Sequence, residues 1–373
     1  MSVPIVSETQ ENSDEPRILP EREHWFFRLP IVADLRRSHG LQRGMLIAGL
    51  VLTAILILTA IFAPLIAPYK WAQTSGEDGA FGAQLAPNDV NMWGTTVGGF
   101  DVFSRVVWGS RTAVLVIILA VLASAVIGVI LGLISGYIGG WLDKILVMVC
   151  DAVYAFPSLL LAIVLSIVIS GGKSSAWGGI LSAALSITVV FIPQYFRVIR
   201  AEAVRLKAEP FVEAAQVIGA PRRTIMFGHV LRNSTRTLPL ILTLNCSEAI
   251  LTLAGLGFLG FGIEQTAAAE WGYDLNRAVA DVAAGNWWTA VFPGLAIVLS
   301  VLGITLVGES MNDLNDPRLR TRKRSKRKTS SGLGADSALS GEAEERSGNE
   351  GARDGAADER AGNGKRELEG EQA

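Results

Sequence analysis

The sequence predicts an all-α polytopic membrane protein with six transmembrane helices, and three observations predict it. Half of the 373 residues are hydrophobic, and the mean hydropathy is positive, a balance that suits a membrane protein better than a soluble domain. The formal net charge of -2 hides strong segregation, with charge crowded into the two tails and one internal loop. Six apolar stretches are long enough to cross about 30 Å of hydrocarbon, which takes roughly 20 helical residues each. Such unbroken runs favour helices over a closed barrel, because each span must satisfy its own backbone hydrogen bonds.

In chain order, residues 1–44 form a tail in which Trp25-Phe26-Phe27 with Arg28 suits a membrane surface. The first span, 45–67, is too long and too late for a cleavable signal and is expected to stay as an anchor. A loop at 68–111 leads to spans at 112–135, 145–170 and 178–199. A basic loop at 200–236 precedes the fifth span, 237–262. A loop at 263–288 precedes the sixth, 289–309. The tail, 310–373, is basic and then acidic, and the Gly, Ala, Ser, Glu and Asp content of its part from about Thr329 to Ala373 cannot bury enough apolar surface to order that part.

Lys and Arg at the span ends set the orientation. Arg28, Arg36, Arg37 and Arg43 precede the first span, seven basic residues from Arg200 to Arg236 fill the fourth loop, and Arg318 to Lys328 follows the last span. Both termini and the 200–236 loop are therefore expected on the cytoplasmic side, and 68–111 and 263–288 outside. Directly after a membrane helix, Arg320–Lys328 reads as a topology or anionic-lipid signal rather than a nucleic-acid patch.

Within the spans, Gly128, Gly132, Gly136 and Gly140 predict a smooth stripe for close helix approach, and Gly255, Gly257, Gly260 and Gly262 a thin end to span five. Pro157 and Pro193 each remove a backbone donor and predict kinks. Cys150 and Cys246 lie in apolar runs and read as packing residues rather than a disulfide framework. Glu248 falls near the middle of span five, where a charge must face a pathway, a subunit interface or a bundle partner; Asp151 lies nearer a membrane edge.

The most informative segment is Pro210-Phe-Val-Glu-Ala-Ala-Gln-Val-Ile-Gly219-Ala-Pro221. Pro210 suits a first helical turn, and Gly219 before Pro221 suits a helix stop. A second helix follows, with Ile225, Met226, Val230 and Leu231 as its apolar contacts. Ala214 and Ala215 keep the first helix slim, and Glu213 puts a carboxylate near its positive end. The segment reads either as a partner-facing lever or as an ordinary amphipathic loop.

Nucleotide and metal chemistry find no support in the sequence. Ser170-Gly171-Gly172-Lys173-Ser174 lacks the first glycine of a phosphate-binding loop, since Ile167 stands there. His24, His39 and His229 are scattered, and neither a metal cluster nor a nucleophile-base pair can be assembled.

Glu213-Ala214-Ala215, three residues and then Gly219 resembles the EAA loop of ABC-type importer permeases. Trp93-Gly94-Thr95, Gly99-Phe-Asp101 through Arg105 with Gly109 and Arg111, Gly136 through Asp143, Asp151 through Pro157, Arg197 through Glu202 and Asp316 through Arg320 resemble the dipeptide and oligopeptide subfamily in the same order. The match runs from roughly Trp25 to Arg320. The chain departs from the pattern at Arg232, where proline is usual, at Thr96 to Phe100, and in its long acidic tail.

The resemblance implies a type I importer permease, with a core domain at about 108–315, in the cell membrane. Its implied partners are a second permease subunit, two cytoplasmic ATPase subunits and an external solute-binding protein, besides the lipid bilayer. ATP and Mg would be bound by the ATPases, with no cofactor and no catalysis in this chain. Glu213, Ala214, Ala215 and Gly219 would couple to an ATPase, and Glu248 is the candidate pathway or gate residue. The implied cargo is a short peptide. A secondary transporter or channel is the competing reading; it would need no partner-facing helix, and no inverted repeat is evident.

Overall fold

A computed structural model describes residues 41–77, 79–171 and 176–315. The Trp25 surface segment, Gly172 to Ser174, the basic run from Arg320 and the acidic tail lie outside the described residues, as do both termini.

Helix α1 (Leu41–Ile66) is followed by a loop with a short antiparallel pair, β1 (Ser75–Gly76) and β2 (Gly79–Ala80), in which Ser75 pairs with Ala80. Asp101 then caps α2 (Val102–Ile138), accepting a hydrogen bond from the Ser104 amide at 2.8 Å while the Asn91 side chain donates to its other oxygen at 3.0 Å. At 1.5 Å per residue, these 37 residues extend for about 55 Å, well beyond the hydrocarbon. The predicted span at 112–135 is therefore only the middle of a longer rod.

The stretch at 145–170, expected as one span, is broken in its middle. It is two helices, α3 (Gly140–Tyr154) and α4 (Ser158–Ser170), bent by 96°. Proline lacks an amide donor and drives the preceding residue away from helical geometry. Here Pro157 sits at ψ 124°, outside the helical region, so the expected kink becomes a break. By length and apolarity, the described residues hold five helices able to cross a membrane, or six if this bent pair counts as one.

Helix α5 (Ala176–Lys207) absorbs Pro193 and runs past the predicted boundary at 199. The chain then forms α6 (Pro210–Val217), α7 (Arg222–Thr224), a π-helical stretch (Ile225–Val230), α8 (Leu231–Ser234), a 3-10 turn (Thr235–Thr237) and α9 (Leu238–Phe258). Because α9 stops at Phe258, Gly260 and Gly262 lie beyond it rather than thinning its end. The predicted loop 263–288 contains a further helix, α10 (Trp271–Ala283), before α11 (Trp288–Asn315).

The glycine stripe on α2 does what its spacing predicts, with one exception. A Cβ at Gly128 would sit 2.8 Å from the Ile192 carbonyl oxygen, at Gly132 2.6 Å from that of Phe196, and at Gly136 2.6 Å from that of Arg200. Backbone atoms of α5 cannot yield to a side chain, so only glycine permits this approach. Gly140 has no neighbour within 4 Å and is not part of the seam.

Two apolar cores result. One fills the middle of the bundle, with Val116, Ala120, Ile187, Phe191, Leu253 and Leu256. The other lies at the end bearing α6, with Leu133, Tyr137, Ile199, Ala203, Leu206, Val212, Ile225, Met226 and Val230.

Candidate coupling loop and pathway wall

Helix α6 is built from local signals. Pro210 occupies its first turn, and Glu213 lies in that turn, near the positive end. At its other end the Ala220 amide donates to the Ala215 carbonyl and the Gly219 amide to the Gln216 carbonyl, both at 3.0 Å. This is a Schellman closure, and Gly219 meets its left-handed requirement at φ 83°.

Val212 is completely buried and keys α6 into the core formed by the ends of α2 and α5 and the π-helical stretch. Ala215 is half-buried against the same core, whereas Glu213 and Ala214 are exposed. Val217 and Ile218, 88% and 84% exposed, stand beside them as bare apolar side chains at the tip. Ile225, Met226 and Val230 are buried and Leu231 half-buried, as their spacing predicts. The π-helical winding that places them left no mark in the sequence.

Glu248 is exposed on α9. It borders a cavity of about 300 Å³ shared with Val153, Tyr154, Phe156 and Ser158 at the α3–α4 break and with Val190, Phe191 and Gln194 on α5. Asp151 belongs to the adjoining surface. The Arg197 guanidinium, one turn beyond Gln194, lies 2.8 Å from an Asp151 oxygen and 4.1 Å over the Tyr154 ring. Nearby, Arg200 holds Asp143 through two nitrogens, with Nη2 to Oδ2 at 2.7 Å. Exposed charges within spans are costly against lipid, so this wall fits water or another protein.

Asn245, three residues before Glu248, was not singled out by sequence. It is fully buried, and neither its amide nitrogen nor its oxygen has a partner among the described residues; the same holds for the neighbouring Tyr195 hydroxyl. A lone Asn in an apolar run gives no signal of this buried placement.

At the opposite end, α10 is locked down by polar contacts across the chain. Arg105, 2% exposed, reaches both oxygens of Asp274 through Nε at 2.8 and 2.9 Å. Its Nη1 donates to the carbonyls of Trp71 and Gln265. Glu270 caps α10, accepting from the Gly272 and Tyr273 amides at 2.7 Å each, and rests on Gly257, where a Cβ would collide with its carboxylate. Burial pushes its pKa up to about 8, against the pull of those two amides.

Comparison with known proteins agrees with this architecture. Residues 128–321 match the binding-protein-dependent transport system inner membrane component family, and residues 42–89 match the N-terminal transmembrane domain of oligopeptide transport permease C. The dipeptide transport system permease of Alkalihalophilus pseudofirmus is 35% identical over 280 residues, covering 75% of this chain and 88% of the relative. The glutathione transport system permease of Shigella flexneri is 35% identical over 285 residues, covering 76% and 88%. That of Salmonella paratyphi A is 35% identical over 301 residues, covering 81% and 91%. With a short helix keyed into a bundle of membrane-spanning helices, this chain belongs to the binding-protein-dependent inner-membrane components, the multi-pass permease subunits of ABC-type importers.

Proposed function

We propose that the chain moves short peptides inward from an external solute-binding protein, paired with a second permease and driven by two cytoplasmic ATPases. One observation carries this reading: α6 is fastened to the bundle by Val212 yet leaves Glu213, Ala214, Val217 and Ile218 bare. A helix fixed on one side and exposed on the other can pass force between a partner and the ends of α2 and α5. Placing α6 in the cytoplasm follows from the basic residues of its loop, and the ATPases, not this chain, would bind ATP and Mg.

The protein's own contribution is a difference in stability between two packings, biased through this contact. Gly219 permits the bend, Ala214 and Ala215 keep the helix slim, and Glu213 orients it. Glu248, beside the α3–α4 break, would line the pathway or its gate. The peptide cargo rests on the names of the dipeptide and glutathione permeases quoted above.

Replacing Val217 and Ile218 with Asp tests the docking. The variant should assemble with the second permease but lose the ATPases on co-purification, and undiminished ATPase recovery would remove α6 from the interface. Uptake of a labelled peptide panel by the reconstituted importer tests the cargo, and failure of every peptide would reject it.

A further inference from the structure

We propose that the chain holds one anionic phospholipid at the end of the bundle opposite α6, its phosphate on Arg111 and one acyl chain along α2. A cavity of about 280 Å³ lies there, lined by Trp71, Trp108, Arg111, Thr112, Leu115 and Ile180, and closed by Ala267 to Ala269. The level is that of a membrane boundary. The uncharged stretch of α2 begins at Thr112, after Arg111, α1 ends at Ile66 shortly before Trp71, and the span of α5 begins at Gly178. Indole rings and guanidinium groups both favour that depth.

Charge points to the ligand. Exposed Arg111 has no ion pair among the described residues, and of the described arginines it is the one that lines this cavity. It lies 5.7 Å from the Trp108 ring centroid, and no carboxylate lines the cavity. A guanidinium fork is well matched to phosphate oxygens.

The face below the cation extends the match. Leu115, Leu119, Leu122 and Val126 follow Arg111 at steps of three or four residues and so continue one face of α2. Leu119, Leu122 and Val126 are 42%, 55% and 58% exposed. From Arg111 to Leu122 the helix rises about 16 Å, close to the thickness of one hydrocarbon leaflet, about 15 Å. An anionic head above a tail of leaflet length fits a phospholipid; a free anion would use only the upper part.

The test is native mass spectrometry of the assembled complex, stripped of lipid and then exposed to phosphatidylglycerol vesicles. Wild type should retain one tightly bound phosphatidylglycerol that millimolar inorganic phosphate does not displace. Arg111→Gln should retain roughly tenfold less, the scale of one charged hydrogen bond. Leu119→Ser, which leaves the cation in place, should also reduce retention and serves if Arg111→Gln fails to assemble. Equal retention by wild type and both variants, no retention by wild type, or displacement by inorganic phosphate would overturn the proposal.

Discussion

Gly219 offers the most direct measure of whether the α6 loop drives transport. No heavy atom comes within 4 Å of a Cβ placed there, and its φ is 83°, so substitution meets no steric obstacle and the whole penalty lies in the backbone. For an L-residue in left-handed geometry that penalty is about 1–2 kcal/mol, a factor of about 5–30 in the population of the bent loop. Gly219→Ala should lower both uptake and substrate-stimulated ATP hydrolysis by that factor in proteoliposomes containing every subunit. Gly219→Asn should recover most of the loss, because Asn adopts left-handed geometry more readily. Complex yield should hold, since Val212 still anchors α6. Unchanged rates for Ala, or equal defects for Ala and Asn, would refute the argument.

Three further outcomes are expected. Arg105→Met leaves Asp274 buried and unpaired, a cost of about 3–5 kcal/mol; hydrogen exchange in α10 should accelerate about 100-fold or more, and Asp274→Leu added to it should restore protection. Glu270 keeps its proton to about pH 8 when folded, whereas its ordinary value is 4.5. Between those values the folded state binds more protons than the unfolded one, so stability should fall as pH rises, by at most about 1.4 kcal/mol per pH unit. Exchange in α10 measured at pH 5 and pH 8 checks this, and Glu270→Gln should flatten the profile. Glu248→Gln should reduce uptake about tenfold with assembly intact, the scale of one charged contact; normal uptake would dismiss an essential charge there.

What was legible in the sequence follows local physics. Apolar length gave the spans, glycine spacing gave the α2–α5 seam, and Pro210 with Gly219 gave α6, because each signal acts within a few residues. Pro157 announced a disturbance but not its size; whether proline kinks or breaks a helix depends on what packs around it. Arg105 with Asp274 was invisible as a pair, and so was the burial of Asn245 beside Tyr195, since these residues are distant in sequence and only the fold brings them together. Glu248 stood out because a charge in an apolar run is anomalous, yet its cavity required the α3–α4 break to be seen.

The glycine seam also dictates where movement can be watched. With α5 backbone carbonyls 2.6 to 2.8 Å from where α2 side chains would begin, these two rods are clamped and should travel together during turnover. Dyes attached one to each would hold a constant separation and supply an internal standard. A dye pair spanning the Pro157 elbow, from α3 to α4, is the one to read for motion.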